Sequence, residues 1–318
     1  MKTQSHKISC AALLLCCCAA SFAQTPDARR ATASSYIERG NAWLAKKEFD
    51  KAIADYELAV ASAPTYALSY VNRGLARLQK GDLEGALRDY DRVIQLEPHN
   101  AMAFVNRSYA KSQQGDKAGA ISDCSQAIQL DSRLMEAWLN RGVAHLYLEQ
   151  LTDALGDLNQ AVKLAPQRAE GYDRRGAVKL KLGDFAGAIA DFDQALKRAP
   201  NDPIVLSDRG TARTQLGDLD GALRDFNQAL TLAPQLATAW FNRGMLWVAR
   251  GLWERAIADL SRSLECDAQS AEAYAQRGLC RLRQGQVTEA QTDFDASLKL
   301  NPKLRADLEQ KIRLIQQQ

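Results

Sequence analysis

Residues 70–98 read YVNRGLARLQKGDLEGALRDYDRVIQLEP and contain two amphipathic helical patterns joined by a turn at Gly81 and Asp82. The first pattern ends near Lys80. The second begins after Asp82, a residue type that caps helix N-termini, and it ends before Pro98, which cannot continue a helix. Neither helix can bury its apolar face alone, so the pair needs neighbouring helices of the same kind.

The pair recurs with a period of 34 residues, and eight copies fit between Ala33 and Leu304 without insertion or deletion. A column of small residues marks where helices must come close: Gly40, Gly74, Ser108, Gly142, Gly176, Gly210, Gly244 and Gly278. We predict repeats at 33–66, 67–100, 101–134, 135–168, 169–202, 203–236, 237–270 and 271–304. This pattern predicts an all-α solenoid in which each unit contacts only its neighbours.

The repeat resembles the tetratricopeptide repeat, a helix-turn-helix unit that opens with bulky-x2-Leu-Gly-x2-Tyr and continues with Ala-x3-Phe and Pro. The bulky opening residue is Tyr36, Tyr70, Phe104, Trp138, Tyr172, Leu206, Trp240 or Tyr274. The place after Ala-x3 holds Tyr56, Tyr90, Cys124, Leu158, Phe192, Phe226, Leu260 or Phe294. The resemblance implies a right-handed superhelix. One departure is constant, because arginine replaces the leucine before glycine in all eight copies, as in an Asn-Arg-Gly subclass of the family.

Residues 1–23 resemble a secretory signal peptide. Lys2 and Lys7 supply the positive start, and the apolar run at residues 8–20 is shorter than the roughly 20 residues that span a bilayer. We predict cleavage after Ala23, and hence a periplasmic or secreted protein. An uncleaved leader that anchors the chain is the alternative. A lipoprotein is not favoured, although Cys16 follows three leucines, because a small residue is expected in place of the last of them.

The two ends of the repeat array carry further predictions. Residues 24–32 are predicted to be a short flexible arm. Residues 305–318 are predicted to form a capping helix, whose apolar stripe would cover the open end of the array.

The charge of the chain is nearly balanced. Its 41 Lys and Arg residues exceed its 38 Asp and Glu residues by 3, and the excess falls to 1 without Lys2 and Lys7 of the leader. Acidic residues occur in every repeat, so nucleic acid is not expected as a partner. The membrane is expected to be reached only through a partner or an uncleaved leader.

Two further columns are invariant. The first helices carry Arg39, Arg73, Arg107, Arg141, Arg175, Arg209, Arg243 and Arg277. The second helices carry Asp55, Asp89, Asp123, Asp157, Asp191, Asp225, Asp259 and Asp293. Antiparallel packing places the two columns at similar heights, so we predict a structural ladder of hydrogen-bonded pairs and favour it over a binding role.

The sequence contains no catalytic constellation, no metal-ligand spacing and no phosphate-binding glycine loop, so we predict no enzyme activity and no cofactor. Cys124, Cys266 and Cys280 occupy places that are apolar in other repeats and are predicted to be buried. A disulfide bond between the last two is not favoured, because they lie too far apart along antiparallel helices.

The first helices carry the candidate binding residues. Asparagine recurs two places before the glycine column, at Asn72, Asn106, Asn140 and Asn242. This resembles the asparagine ladder of long tetratricopeptide superhelices, in which side-chain amides hold an extended peptide backbone. Apolar residues accompany it at Val71, Leu75, Val105, Leu139, Val143, Phe241 and Met245. The alternative is that some of these apolar residues only pack between helices.

We therefore predict a protein-interaction scaffold of the cell envelope that binds an extended peptide or a partner protein in its groove. One alternative is a structural subunit of an envelope assembly that uses its convex face or its ends. Another is an accessory subunit that docks an enzyme. The identity of the partner and the oligomeric state are not determined by the sequence.

Overall fold

The computed structural model describes residues 25–317, which form helices and no strand. The helices are α1 (Pro26–Ala45), α2 (Phe49–Ser62), α3 (Ala67–Lys80), α4 (Leu83–Leu96), α5 (Ala101–Gln114), α6 (Lys117–Leu130), α7 (Met135–Tyr147), α8 (Leu151–Leu164), α9 (Ala169–Leu182), α10 (Phe185–Arg198), α11 (Pro203–Gln215), α12 (Leu219–Leu232), α13 (Ala237–Ala249), α14 (Trp253–Cys266), α15 (Ala271–Arg283), α16 (Val287–Leu300) and α17 (Arg305–Gln316). A short 3-10 helix, Pro302–Leu304, precedes α17. The predicted signal peptide lies outside the described residues.

The chain divides into two compact units after Asp82. In the first unit, α1 packs against α2 and α3, and α2 packs against α3. In the second unit, which begins with α4, each first helix packs against the second helix of its own repeat and the second helix of the preceding one. First helices of successive repeats also touch one another, from α5 to α15. The predicted all-α architecture of consecutive helix pairs is confirmed.

Glycine and aspartate fix the turn inside several repeats. Gly115 ends α5 with φ of 97°, a left-handed conformation that costs glycine little. Asp116 then caps α6, because its carboxylate accepts a hydrogen bond from the backbone N–H of Gly119 at 2.8 Å. The same cap forms at the start of α10 and α12. Local chemistry alone therefore separates the two helices of these repeats.

In six repeats, the glycine of the small-residue column brings the first helix close to a large side chain of its second helix. A Cβ atom added to Gly210 would lie 2.7 Å from Cε1 of Phe226, which is closer than real Cβ atoms approach. The exception is Ser108, whose partner sixteen residues later is the smaller Cys124. The two columns therefore compensate each other in volume, as close-packed interiors require.

The predicted Arg–Asp hydrogen bonds are present in the seven pairs whose two members lie in the same unit. In the sixth repeat, Nε and Nη2 of Arg209 donate to the two carboxylate oxygens of Asp225, at 3.0 and 2.7 Å. The same two-pronged contact joins Arg39–Asp55, Arg107–Asp123, Arg141–Asp157, Arg175–Asp191, Arg243–Asp259 and Arg277–Asp293. All seven carboxylates are buried. In the remaining pair, Arg73 belongs to the first unit and Asp89 to the second.

The remaining guanidinium nitrogen of the arginine, Nη1, contacts the preceding repeat. Nη1 of Arg209 donates to Asp193 of α10 at 2.6 Å. Equivalent contacts join Arg107 to Asp91, Arg141 to Ser125, Arg175 to Asn159, Arg243 to Asn227 and Arg277 to Ser261. One guanidinium thus ties two successive second helices together, which a leucine at that place cannot do. In six repeats the arginine thus makes a contact that the leucine of the family pattern lacks.

Five of the buried carboxylates have a second donor that the sequence analysis did not predict. It lies twelve residues before the aspartate, on the last turn or so of the first helix. Lys111, Lys179, Arg213 and Arg281 each lie 2.7–2.9 Å from their aspartate. Trp247 donates its indole N–H at 2.9 Å, and His145 Nε2 lies 3.8 Å away. The carboxylates of Asp123, Asp191, Asp225, Asp259 and Asp293 therefore have donors on two sides, as a buried charge requires.

Two sequence predictions about residues outside the groove are wrong. Residues 26–32 are not a flexible arm but the first turns of α1, because Thr25 caps the helix and Pro26 suits its first position. Cys266 is only partly buried, and its Sγ lies 3.3 Å from the side-chain oxygen of Gln235. Cys124 and Cys280 are buried as predicted, and all three thiols are free.

Candidate functional site

An open pocket of about 420 Å³ lies across α5, α7 and α9, and we call it the central pocket. It is lined by Tyr109, Ser112, Gln113, Lys117, Leu139, Asn140, Val143, Tyr147, Glu170 and Arg174. Three predicted groove residues are thus brought together by α7, which contributes Leu139, Asn140 and Val143. Apolar walls with a few amide and charged groups are typical of sites that bind polypeptide or small molecules.

The central pocket contains two exposed tyrosines that the sequence analysis missed. Tyr109 is 47% exposed and Tyr147 is 67% exposed. The ammonium group of Lys117 lies over the ring of Tyr147, 4.5 Å from its centroid, and donates a hydrogen bond to the Ser112 hydroxyl. One face of the ring is therefore in contact with a cation. The repeat register could have revealed Tyr109, because it occupies the same place in α5 as Val143 does in α7.

Two of the predicted asparagine amides, those of Asn140 and Asn242, contact neighbouring first helices. The Asn140 amide N–H group lies 3.5 Å from the hydroxyl of Ser108. In α13, the Asn242 amide donates to the hydroxyls of Ser207 and Thr211 in α11, at 3.3 and 3.1 Å. These contacts fix the amides in place. Asn242 therefore offers a ligand mainly its carbonyl oxygen, whereas the sequence predicted that each amide would offer both a donor and an acceptor.

The other predicted groove residues are not all accessible. Val105 is 4% exposed and packs with Phe104, Ala127 and Ala137 in the core of the third repeat, so its assignment to the groove is wrong. Asn106 is partly exposed. Phe241 is partly buried against the core of the seventh and eighth repeats, and Met245 is partly exposed.

In the first unit, the three predicted groove residues lie on α3. Leu75 is 38% exposed, and Val71 is partly exposed. The Asn72 amide donates to the backbone carbonyl oxygen of Leu68 at 2.9 Å, within its own helix. One amide N–H is therefore used locally.

Acidic side chains on α9 and α11 repel one another. Burial and the neighbouring carboxylate of Asp173 raise the pKa of Asp208 to about 6. Burial also raises the pKa of Asp173, while Arg174 opposes the rise in both. The charged forms of Asp173 and Asp208 are thus held in this part of the first-helix surface at an energetic cost.

We expect Asp208→Asn to stabilise the protein at pH 7 by about 1–2 kcal/mol, less than the full pKa shift implies because the site is partly hydrated. A carboxyl whose pKa is higher in the folded state than in the unfolded state destabilises the fold above that pKa. The advantage of the variant should therefore vanish as the pH falls from about 6 to 4. Urea unfolding between pH 4 and 8 measures this, and an advantage that does not change with pH would contradict it.

Within residues 25–317, no group of three or more His, Cys, Asp or Glu side chains could hold a metal ion. None of the helices in this range combines the length and the apolar character needed to cross a membrane.

Family models described as tetratricopeptide repeat match most of the chain. One model matches residues 114–169, 139–203, 174–237 and 207–271, and three others match residues 33–66, 67–100 and 271–304. A comparison with curated proteins found no match.

Solved structures show the same fold. A tetratricopeptide repeat protein from Parabacteroides merdae ATCC 43184 is 18% identical, with 79% of this chain and 99% of that chain covered and a TM-score of 0.62. A chain of the APC/C hetero-tetramer Cut9-Hcn1 is 16% identical, with 90% of this chain and 58% of that chain covered and a TM-score of 0.69. Pseudomonas aeruginosa pilF is 20% identical, with 65% of this chain and 94% of that chain covered and a TM-score of 0.58.

Proposed function

This chain belongs to the tetratricopeptide repeat family, and we propose that it is a non-catalytic scaffold that binds an extended segment of a partner protein at the central pocket. Proteins of this family are generally protein-interaction scaffolds. The observation that carries the proposal is the pair of exposed tyrosines, Tyr109 and Tyr147, beside the amide of Asn140. Aromatic rings provide apolar contact for the side chains of a peptide, and a fixed amide provides hydrogen bonding for the polar groups of its backbone.

The chemistry of the central pocket favours an extended segment over a folded surface. The Asn140 amide supplies hydrogen bonding that does not depend on peptide sequence, since every peptide unit carries one donor and one acceptor. The rings of Tyr109 and Tyr147 supply apolar contact area with little conformational entropy to lose. The pocket is open, so a chain can enter and leave along it.

Replacing Tyr109 and Tyr147 by serine and Asn140 by alanine together should lower partner affinity by more than about tenfold, because each lost aromatic contact and hydrogen bond contributes about 1 kcal/mol. The fold should persist, since both rings are exposed. The partner is first captured by a photo-crosslinking residue at position 147. Affinity is then measured by calorimetry with the captured segment.

The matched control exchanges exposed glutamines of the second helices, Gln126→Ala with Gln160→Ala, and should leave affinity unchanged. If the control variant loses binding while the pocket variant keeps it, the protein uses its second-helix face. The structural-subunit alternative would then be the better account.

Export to the cell envelope is part of the proposal, and it rests on the leader sequence of residues 1–23. We expect the protein recovered from the producing cell to begin at Gln24. Intact-mass spectrometry tests this, and a lipid-modified cysteine or a retained leader would contradict it.

A further inference from the structure

The asparagine column of the first helices contains one carboxylate without a donor, that of Asp208 on α11. In the next repeat, the amide of Asn242 occupies the equivalent place and donates to two hydroxyl groups of the preceding first helix. The places that correspond to those hydroxyls on α9, one period earlier, hold Asp173 and Ala177. The helix before Asp208 therefore offers no hydrogen-bond donor at these two places.

The Asp208 carboxylate is also without a counter-charge of its own. It is partly buried, and among residues 25–317 it forms no hydrogen bond or ion pair. Burial and the carboxylates of Asp173 and Asp202 raise its pKa to about 6. Arg174 acts in the opposite direction, but its guanidinium pairs with Asp173 at 3.5 Å. A cation supplied by a ligand would therefore meet an ionised group that lacks a partner.

Asp208 lies one first helix beyond the wall of the central pocket. Helix α9 contributes Arg174 to that pocket, and α11 packs beside α9. The axes of packed helices are about 8–10 Å apart, so α11 lies roughly 16–20 Å from α7. An extended chain advances about 3.3 Å per residue, so it covers this distance in about five or six residues. A segment held between Tyr109 and Tyr147 can thus reach Asp208.

We propose that the extended segment bound at the central pocket carries a lysine or arginine about five residues from its apolar anchor, and that this cation pairs with Asp208. The inference rests on the proposed scaffold function and adds the charge and the spacing of the bound segment. A cation that pairs with a partly buried carboxylate favours basic segments and disfavours acidic ones, which would meet a like charge.

This pairing also gives a reason for the cost of Asp208 in the free protein. An ionised carboxylate with no donor lowers the stability of the fold, and a ligand cation compensates it only in the complex. Loss of stability at a group that awaits its ligand is common in binding sites.

The test uses short peptide probes with blocked ends, so that no terminal charge contributes. The lysine probe is acetyl-Lys-Ser-Thr-Ser-Thr-Phe-Thr-Ser-Thr-Ser-Lys-amide, which places lysine about five residues from phenylalanine on both sides and so allows either chain direction. The neutral and acidic probes have glutamine or glutamate in place of both lysines. Calorimetry with the whole protein at pH 7 should show the lysine probe binding at least about tenfold more tightly than either counterpart.

Two variants identify the carboxylate that is responsible. Asp208→Asn should bring the affinity of the lysine probe to that of the neutral probe. Because this variant is expected to be more stable than the natural protein, unfolding cannot account for the loss. The control, Glu272→Gln, removes an exposed carboxylate from the first helix α15 and should keep the preference for lysine.

The preference should also depend on pH through Asp208. The charged groups that act on its carboxylate are Asp173 and Arg174 of α9 and Asp202 at the start of α11. With a pKa of about 6, Asp208 is mostly protonated at pH 5 and mostly ionised at pH 7. The affinity of the lysine probe should therefore rise over this range in the natural protein, and the rise should be absent in Asp208→Asn.

Equal affinity for the lysine and neutral probes would overturn the inference, and so would tighter binding of the acidic probe. It would also be overturned by a lysine preference that survives Asp208→Asn, or by a lysine probe that does not bind. Failure of the scaffold proposal is read separately, as unchanged affinity of the captured partner segment in the central-pocket variant of Tyr109, Asn140 and Tyr147.

Discussion

Replacing Asp225 by alanine is expected to lower the free energy of unfolding by about 3 kcal/mol, because breaking a buried ion pair leaves the remaining charges uncompensated. The Asp225 side chain is 3% exposed and binds both Arg209 and Arg213, whose side chains are 16% and 21% exposed. Both guanidinium groups would lose their shared acceptor. Arg209 would retain only Asp193 of the preceding repeat.

The same arginine provides the control. Asp193→Ala removes a hydrogen bond of 2.6 Å, but this carboxylate is 48% exposed, so the expected loss is below about 1 kcal/mol. Urea unfolding compares the two variants, and hydrogen exchange shows whether protection falls first in α11 and α12. Equal unfolding midpoints for the two variants would mean that the buried contact of Asp225 with Arg209 and Arg213 has no special role in stability.

The losses of stability caused by Gly210→Ser and by Phe226→Cys should partly compensate each other when the two substitutions are combined. Gly210→Ser alone forces a Cβ atom to 2.7 Å from the Phe226 ring and should cost about 1–3 kcal/mol. Phe226→Cys alone opens a cavity at a side chain that is 1% exposed and should cost about 3 kcal/mol. The double variant recreates the natural Ser108 and Cys124 pair, so its loss should fall short of the sum by more than about 1 kcal/mol.

The control for this cycle is Gly156→Ser in α8. A Cβ atom there meets no neighbour within 4 Å, so the change should be below about 0.5 kcal/mol. Thermal unfolding of the four proteins in the cycle and of the control gives the coupling energy. Simple additivity would mean that the two columns do not pack against each other.

The repeat period predicted most of the fold because each contact between helices recurs at the same spacing. Sixteen residues separate the arginine and aspartate of a pair, and the same interval separates Gly210 from Phe226. A pattern that recurs in every repeat is more reliable than any single match, so the helix pairs and the Arg–Asp hydrogen bonds could be predicted. The second donors of five carboxylates were not predicted, because Lys, Arg and Trp occur at this place and have in common only an N–H group.

The candidate site was predicted only in part. Leu139, Asn140 and Val143 line the central pocket as expected, but Val105, in the same column as Leu139, is buried. The difference arises from neighbours in space, since Ala127 and Ala137 leave room for Val105 to enter the core. Tyr147, the last residue of α7, is 67% exposed.

The sequence by itself determined the helix pairs, their register and the Arg–Asp ladder, because these depend on local periodicity and on spacings that every repeat shares. The tertiary structure alone decided which side chains of a column face solvent and which amides are already bonded to a neighbouring helix. It also decided where cavities remain between helices. These properties depend on the side chains of adjacent repeats, which differ from one repeat to the next while the backbone pattern stays constant.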